Sequence, residues 1–536
     1  MTYTREQLQN VSQEELITII LHQQDDLAEL KRNTALILEQ LQVMNQQRFG
    51  RKSEKDLTDY PDQLTLADLF NEVEGLEDIF HAEEPSADDI LPATTEYTVV
   101  RKKHNGKRDE DLKGLPVDVH EHELPAELLD DMFPGGWYEM DTEEYKRLKV
   151  IPADYRVQLH RVHVYSGYGS DEIVRGDRPA GLLRNSIATP SLVSMIINAK
   201  YTNAVPLYRL EQEFKRNDIH LSRQVMANWM IRITERYLQQ IYDLMHQELL
   251  KAKVLQADET PCLVSKDGRK AGSKSYMWVY RTGKYHPGAP VILYEYQKTR
   301  NTEHPLRFLS DYDGTVVTDG YEVYHSIARK RDGLKIAGCW SHARRKFADA
   351  VKTAKDKEAV KTSIAYHALQ MMQVMFDLDK KLRSLPEDEI LKRRCTDIQP
   401  LVEAFFAWIR KYQGAVPSNG LTGKAITYCL NQEQYLKVFL DDPYIPMDNN
   451  AAEQAIRGFC IGKKNWVMID TISGAKASAV LYSIVETAKA NNLKIYDYFC
   501  WLLQSIIDTP EALLDQKLEG MMPWSDKIPE SCRKNN

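Results

Sequence analysis

The sequence predicts a multidomain α/β protein. The chain has 536 residues, several times the length of one domain, and a run of strand patterns after residue 250 gives way to alternating helix and strand patterns. Hydrophobic residues make up 43% and charged residues 28% of the chain, as in globular proteins. No apolar run approaches the roughly 18 residues of a membrane span, and the polar first residues do not resemble a secretory signal. We therefore expect a cytoplasmic protein without a membrane partner.

The first 50 residues carry the heptad spacing of a coiled coil. Seam residues recur at alternating intervals of four and three, and two of them, Gln23 and Thr34, are polar. The whole seam is Leu16, Ile20, Gln23, Leu27, Leu30, Thr34, Ile37, Leu41 and Met44. This pattern predicts a helix that associates with a second copy into a homo-oligomer. An intramolecular helical hairpin is the alternative.

Residues 51–123 are predicted to be a charged linker. Twelve carboxylates and no Lys or Arg lie between residues 56 and 90, and without these twelve charges the net charge of −8 becomes +4. Apolar residues at helical spacing in the same segment fit an amphipathic helix, and a solvated acidic linker fits equally well. Basic arms flank the acidic segment: Arg51 and Lys52 before it, and the cluster 101–108 after it. Flexible basic arms can bind phosphates without reading sequence, although a plain exposed loop is the alternative.

Two small domains are predicted before the strand-rich region. Residues 124–170 contain an alternating run through Tyr155, Val157 and Leu159, which indicates a small β-rich module. Residues 171–249 are helical in pattern, with a helix over 205–216, a turn, and a second helix that has Ser222 as its N-cap. The pair fits a helix-turn-helix that binds DNA through Arg223, although any compact helical pair would look similar.

Beyond residue 250 the order of predicted elements is βββ-α-β-α-β. Three consecutive strands followed by alternating helices and strands are the ribonuclease-H-like pattern, a mixed sheet with helices on both faces. Residues 343–445 are almost wholly helical in pattern and predict an α-helical insertion. The predicted strands are 253–258, 275–281, 291–296, 315–318 and 335–339, the intervening helices are 302–309 and 321–330, and helices near 450–458 and 476–507 close the fold.

Three carboxylates fall where this topology would bring distant segments together. Asp258 ends the first of these strands, Asp319 follows the fourth, and Glu453 opens a late helix. The hard ions Mg²⁺ and Mn²⁺ prefer oxygen ligands, and a pair of them can activate an attacking hydroxyl and stabilise the leaving oxygen of a phosphodiester. The three acids are therefore candidates for catalysis and for binding two such ions.

Each of these acids also has a structural interpretation. Asp258 and Asp319 precede residues typical of turns, and Glu453 fits a capping box at the start of its helix. Sequence alone also leaves two rival acids, Glu259 and Glu486.

Groups suited to a polyanion surround the predicted acidic site. Cys339 and His342 alone cannot build a zinc site, so His342 is expected to contact phosphate or to pack. Trp466 fits either base stacking or core packing. The predicted DNA-binding residues are Arg344, Arg345, Lys346, Lys463, Lys464, Arg223, Arg51 and Lys52.

Five segments in order resemble those of one family of bacterial enzymes. They are Asp258-Glu-Thr-Pro261, Asp319-Gly-Tyr-x-x-Tyr324, Cys339-Trp-Ser-His-Ala-Arg-Arg-Lys-Phe347, Asp448-Asn-Asn-Ala-Ala-Glu-Gln-Ala-Ile-Arg457 and Gly462-Lys-Lys-Asn-Trp466. Together they resemble the insertion-sequence-66 family of DDE transposases, and the resemblance covers nearly the whole chain. It implies that Asp258, Asp319 and Glu453 are the DDE triad and that the helical insertion separates the second and third acids.

The resemblance also implies an activity and its partners. A protein of this family is expected to cleave DNA at the terminal inverted repeats of its own element and to join the free 3′-OH to target DNA. It is expected to use Mg²⁺ or Mn²⁺, to act as a multimer and to work with accessory proteins of the same element. The residues also leave two alternatives: a ribonuclease-H-like nuclease without strand transfer, and a non-catalytic coiled-coil and helix-turn-helix DNA-binding regulator.

The chain departs from this family at the module over 124–170. Members commonly carry a cysteine-based zinc module there, but this segment contains no cysteine, and His160 and His163 alone cannot complete a tetrahedral site. The seven cysteines elsewhere are scattered and odd in number, as expected of reduced thiols. We therefore predict that the purified protein contains no stoichiometric zinc. Elemental analysis tests this, and one zinc per chain would contradict it.

The sequence thus divides the chain into seven segments. They are a coiled-coil helix (1–50), a charged linker (51–123), a β-rich module (124–170), a helix-turn-helix-like domain (171–249), a ribonuclease-H-like catalytic domain (250–342 and 446–508), an α-helical insertion (343–445) and a C-terminal tail (509–536).

Overall fold

A computed structural model describes residues 154–166, 173–175, 180–270, 272–353 and 360–534. The predicted coiled coil, both basic arms and the acidic segment lie outside these residues. The described chain divides into a small unit that ends at Ala180 and a large unit that begins at Gly181. No helix in the described ranges is long and apolar enough to cross a membrane.

The small unit contains one antiparallel strand pair. Strand β1 (Val164–Ser166) pairs with β2 (Ile173–Arg175), on either side of the predicted end of the module at residue 170. The strand expected through Tyr155, Val157 and Leu159 is not formed. Residues 154–163 have no regular structure, and Val157 is 94% exposed. An alternating pattern gives a strand only where another strand pairs with it and its apolar face is covered.

The large unit begins with four helices. They are α1 (Pro190–Ile197), α2 (Leu207–Arg216), α3 (Arg223–Ile233) and α4 (Gln239–Leu249). Helix α2 starts two residues later than predicted because Pro206 takes the N-cap position. The turn and the second helix are as predicted, and Ser222 Oγ accepts a hydrogen bond of 3.3 Å from Val225 N at the start of α3.

A mixed sheet follows in the predicted order of elements. It comprises β3 (Val254–Lys266), β4 (Lys274–Thr282), β5 (Ile292–Gln297), α5 (Glu303–Phe308), β6 (Gly314–Thr318), α6 (Glu322–Ala328) and β7 (Leu334–Gly338). The strands lie in the order β5-β4-β3-β6-β7. The pairs among β3, β4 and β5 are antiparallel, whereas β6 is parallel to both β3 and β7.

Strand β3 has 13 residues and extends well past Asp258, where the sequence predicted its end. A proline inside a central strand removes a hydrogen-bond donor and is usually excluded. Among the described residues, β3 has strand partners on its second side only at 254–256 and at 264–266, and Pro261 lies between these two stretches. The strand can therefore continue through the Asp258-Glu-Thr-Pro261 segment that had suggested a turn.

The predicted insertion is helical. It contains α7 (Trp340–Thr353), α8 (Ile364–Leu382), α9 (Glu387–Arg393), α10 (Gln399–Tyr412) and α11 (Leu421–Leu436). Trp340 is fully buried among Phe405, Phe406 and Phe439, with ring centroids 5.6–6.4 Å away. Since Trp340 directly follows β7 and Cys339, this aromatic core packs against the end of the sheet.

A buried arginine ties the insertion to the loop that leads back to the sheet. Arg394 is fully buried and donates to Asp379 Oδ1 at 2.8 Å. It also donates to the carbonyl oxygens of Phe439, Asp442 and Ile445. The Arg394 side chain thus donates hydrogen bonds to three carbonyl oxygens in the segment that leads back to the sheet domain.

We expect Arg394→Met to destabilise the protein by about 3–5 kcal/mol, because it leaves a buried carboxylate and three carbonyls short of partners. The control is Arg393→Met at the neighbouring position. Arg393 is about half exposed and pairs only with Asp397 in the described chain, so its loss should cost below about 0.5 kcal/mol. Chemical denaturation measures both variants, and equal costs would contradict this role for Arg394.

The closing segment contains α12 (Asn450–Trp466), β8 (Ile469–Thr471), α13 (Ile472–Ala490), α14 (Ile495–Asp508) and α15 (Glu511–Lys517). The helix predicted over 476–507 is interrupted because Asn492 adopts a left-handed conformation with φ 58°. Helix α13 covers the edge strand β5, where Ser483 and Thr487 accept hydrogen bonds from the N–H groups of Tyr294 and Ile292. The predicted tail packs back on the fold, as Tyr498 Oη donates to the Met521 carbonyl.

Candidate active site

Asp258 lies on the face of β3 that packs against α12. Side chains alternate between the two faces of a strand, so Gln256, Asp258 and Thr260 share one face. Gln256 Nε2 donates to Asp448 O and to Asn449 Oδ1 at the start of α12. Thr260 Oγ1 accepts from the ammonium of Lys463 at 3.2 Å further along the helix. Asp258 is therefore held between two contacts with the helix that carries Glu453.

Asp319 directly follows β6 and is level with Asp258 of β3. Gln256 of β3 pairs with Val317 of β6 in the parallel ladder, and Asp258 and Asp319 each lie two residues further along the chain. Adjacent strands are about 4.8 Å apart, so equal register places the two carboxylates side by side at the same sheet edge. The two residues lie on separate segments that only the fold unites.

A tight turn fixes Asp319. Its Oδ1 accepts from the N–H of Tyr321 at 3.0 Å, and its carbonyl oxygen accepts from Tyr428 Oη at 2.8 Å. Gly320 has φ 87°, and a Cβ there would lie 2.9 Å from Tyr428 Oη. Tyr428 belongs to helix α11, so the insertion directly supports the loop that carries the second acid. No sequence pattern had pointed to Tyr428.

Glu453 is positioned by the loop before α12. Asn449 Nδ2 donates to the Ala257 carbonyl at 2.8 Å, which fastens the loop to β3 one residue before Asp258. The N–H of Asn449 donates to Cys339 Sγ, and the N–H of Trp340 donates to Met447 O. These bonds join the start of α12 to the end of β7 and place Glu453 in the first turn of α12.

The capping-box interpretation of Glu453 is not supported. The N-cap residue is Asn449, not Asn450, and its side chain makes no capping hydrogen bond. The Glu453 carboxylate instead contacts α7: Oε2 accepts from Arg345 Nη2 at 3.3 Å, and Oε1 lies 3.5 Å from His342 Nδ1. Both Oε1 and Nδ1 are buried without a hydrogen-bond partner.

The acids share one electrostatic environment. Burial raises the pKa of Asp258 well above its ordinary value, and the negative charges of Glu259, Asp319 and Glu453 raise it further. A cation among these carboxylates would relieve this repulsion and would give the unpaired Glu453 Oε1 a partner. Asp258, Asp319 and Glu453 supply only oxygen donors, which are the donors that Mg²⁺ and Mn²⁺ prefer. The residues present thus fit hard divalent ions.

A second group of donors overlaps this one. Cys339 Sγ, His342 and Glu453 offer ligand atoms that all lie within 4.8 Å of one another. Burial raises the pKa of the Cys339 thiol, and its sulfur already accepts a hydrogen bond from Asn449 N. Because its sulfur joins the end of β7 to the residue before α12, we interpret Cys339 as a link between these two elements. No disulfide joins any of the seven cysteines, all of which lie among the described residues.

The raised pKa of Asp258 predicts that this acid destabilises the metal-free fold. A carboxyl whose pKa is higher in the folded state binds more protons there, so stability falls as pH rises from about 4 through the folded-state pKa. We therefore expect Asp258→Asn to raise the Tm near pH 7 in EDTA and to make no difference below about pH 4. Thermal unfolding from pH 3.5 to 8 measures this, and a destabilised variant at pH 7 would contradict it.

The rival acids have other partners. Both Glu259 oxygens are engaged, one by the Arg300 guanidinium and one by Tyr324 Oη at 3.1 Å. Glu259 points to the face of β3 opposite Asp258, as strand alternation requires. Glu486 pairs with Lys489 Nζ at 2.8 Å.

The predicted DNA-binding residues fall into three groups. Arg345 is exposed and borders Glu453, while Lys346 is also exposed and its ammonium lies 4.5 Å from the centre of the Tyr428 ring. Lys463 contacts β3 beyond Asp258, and Lys464 is exposed next to it. Arg344 is half-buried on α7, Arg223 lies over the Tyr208 ring at 5.6 Å, and Arg51 and Lys52 lie outside the described residues. Trp466 packs edge-on against Phe459, which favours core packing over base stacking.

Comparisons with known proteins identify the family. The family model described as "Transposase IS66 family" matches residues 185–477, more than half of the chain, so the protein belongs to the IS66 family of transposases. A second family model, described as "Transposase C of IS166 homeodomain", matches residues 37–119. This stretch includes most of the predicted charged linker. A homeodomain is a three-helix DNA-binding fold, and transposases act on DNA, so DNA is the partner that both matches support.

Curated relatives cover much of the same chain. The uncharacterized protein y4qI of Sinorhizobium fredii is 28% identical over 421 residues, which span 76% of this chain and 75% of that protein. The uncharacterized protein y4jD of the same organism is 25% identical over 402 residues, or 73% of this chain and 77% of that protein.

Proposed function

We propose that this transposase is a DDE enzyme that cleaves DNA at the ends of its element and transfers the 3′-OH to target DNA. The observation that carries the proposal is the convergence of Asp258, Asp319 and Glu453, from three distant segments, on one edge of the sheet. The strand order and the position of the helical insertion fit a ribonuclease-H-like core, with residues 250–342 and 446–508 as the catalytic domain and 343–445 as the insertion.

The three acids would hold two Mg²⁺ or Mn²⁺ ions, which when bound supply activation of the attacking hydroxyl and stabilisation of the leaving oxygen. The protein itself positions the three acids. Tyr428 and the Gly320 turn fix Asp319, and Asn449 fixes the helix that carries Glu453. No covalent protein intermediate is needed, so the chain does not have to provide a nucleophile.

Cationic side chains border the acids on both sides. Arg345 and Lys346 lie on α7 beside Glu453, and Lys463 lies along β3 beyond Asp258. Such groups bind backbone phosphates and fix the position of a duplex without reading its sequence. Arg345 contacts Glu453 in this structure and would exchange that partner for a phosphate when DNA and metal bind.

The other parts of the chain have proposed roles in assembly and recognition. The predicted coiled coil over 1–50 would form the homo-oligomer, and accessory proteins of the same element would complete the complex. Residues 37–119, which match a homeodomain model, and the helix pair α2–α3 would contact the terminal inverted repeats.

A joining assay tests the proposal. Purified protein is incubated with Mg²⁺, a labelled duplex carrying the terminal repeat that flanks the coding sequence, and a plasmid target. The proposal predicts cleavage at the repeat and a labelled product joined to the plasmid. Cleavage without joining would instead identify a nuclease, and DNA binding without metal-dependent cleavage would identify a regulator.

A further inference from the structure

Two exposed apolar residues follow helix α12. Val467 is 58% exposed and Met468 is 54% exposed, and they connect α12 to β8. Val467 has φ 64° and ψ −54°, and it is the only β-branched residue with positive φ in the described part of the chain. This conformation is strained for a β-branched side chain. Strained backbone of this kind clusters at functional sites, and here it accompanies two exposed apolar side chains.

The Val467–Met468 tip is firmly attached to the strand that carries Asp258. The N–H of Val467 donates to Lys463 O at 2.7 Å, and the N–H of Met468 donates to Trp466 O at 2.7 Å. Strand β8 then pairs with the far end of β3. Ser265 Oγ on β3 also donates to Met468 Sδ at 3.1 Å. The tip is thus a built feature of the catalytic sheet rather than a loose loop.

The tip lies at a defined distance from the candidate active site along both β3 and α12. Ile469, next to Met468, pairs with Val264, six residues beyond Asp258 on β3, which is about 20 Å at 3.3 Å per residue. From Glu453 to Val467, 14 residues of helix α12 give about 21 Å. Lys463 lies between the acids and the tip, and its ammonium contacts β3. A duplex with its scissile phosphate at the acids would cross Lys463 and meet the tip about six base pairs away.

We propose that Val467 and Met468 form a wedge that inserts between base pairs of the duplex held in the active site. This inference rests on the proposed function. Apolar wedges unstack base steps in DNA-bending proteins and are accompanied by basic residues that hold the backbone. Here Lys463 and the exposed Lys464 supply the cationic flank. Two residues bury too little area for a stable protein interface, whereas a base step needs an insertion of only this size.

Base unstacking tests the wedge directly. Duplexes carrying the terminal repeat are made with 2-aminopurine at each position up to ten base pairs on either side of the cleavage site, because its fluorescence rises when it is unstacked. Binding is measured with the Asp319→Asn protein, so that cleavage does not intervene. We expect fluorescence to rise at one step about six base pairs from the scissile phosphate. Val467→Ser combined with Met468→Ser should abolish most of that rise.

Two further variants separate the wedge from folding effects. Val467→Gly accepts the positive φ without strain, so it should keep or raise the Tm while losing most of the fluorescence rise. Val374→Ser, at a 49% exposed valine of α8, should change neither the Tm nor the fluorescence rise. A full fluorescence rise with the double serine variant would overturn the wedge. So would a double variant that loses the rise and also sediments as a smaller species, because the tip would then be a subunit contact.

Failure of the proposed function gives a different result. The parent protein, without the Asp319 substitution, is assayed for cleavage on the same duplexes. A parent that binds but does not cut would contradict the proposed function. A parent that cuts normally, with no fluorescence rise at any position, would overturn the wedge alone.

Discussion

Asp319→Asn should abolish DNA cleavage while leaving binding to the element ends nearly unchanged. Asparagine keeps the oxygen that accepts from Tyr321 N, so the turn should survive, but it removes the negative charge that a divalent ion requires. Metal ions supply several kcal/mol to such a transition state, so we expect cleavage to fall at least about a thousandfold. Binding depends mainly on the basic residues and should persist.

Single-turnover cleavage and a filter-binding titration at one salt concentration measure the two effects. The matched control is Asp313→Asn, at the other end of strand β6. Asp313 is an exposed acid that pairs with Arg331, remote from the triad in the ladder, and its substitution should leave cleavage within about twofold of the parent. A purified Asp319→Asn protein that cuts as fast as the parent would remove Asp319 from the chemistry.

Gly320→Ala should also slow DNA cleavage strongly, although residue 320 has no side chain that could take part in the chemistry. The new Cβ would lie 2.9 Å from Tyr428 Oη and 3.1 Å from Gln432 Oε1, so Tyr428 must move. Tyr428 holds the Asp319 carbonyl, and its displacement would shift the second acid. A misplacement of about 1 Å can cost roughly a hundredfold in rate, and we expect a cleavage loss of that order.

Gly268→Ala is the matched control for Gly320→Ala. Gly268 has a similar φ of 81°, but a Cβ there would have no atom within 4 Å. Both variants should lose about 1–2 kcal/mol of stability from the left-handed backbone, and only Gly320→Ala should lose cleavage. Equal activity losses would show that backbone strain alone is responsible, and Tyr428 would then have no part in positioning Asp319.

Local patterns predicted the order of elements in the large unit. The βββ-α-β-α-β order, the helical insertion and the N-cap at Ser222 follow from periodicity and capping residues, which are properties of neighbouring positions. The boundaries of β3 and of the final helices were wrong. Pro261 is tolerated because it lies between the two stretches where β3 has a strand partner on its second side. Asn492 interrupts an otherwise helical pattern.

The supports of the candidate site could not be predicted in this way. Tyr428 lies on an amphipathic helix like any other, and its contact with Asp319 joins residues 109 positions apart. The role of Cys339 as an acceptor for Asn449 depends likewise on how β7 meets α12. The three acids themselves were candidates because the predicted topology brings them together for phosphodiester chemistry, and the family resemblance implied them as the triad ahead of the rivals Glu259 and Glu486.

Anomalous diffraction from Mn²⁺ in crystals of the DNA-bound protein tests the central claim most directly. If Asp258, Asp319 and Glu453 share the ions, the Mn²⁺ peaks should lie within about 2.0–2.6 Å of a carboxylate oxygen from each residue, beside the scissile phosphate. Peaks at the phosphate with Glu453 beyond ligand distance, or bound by Cys339 and His342 instead, would contradict the account.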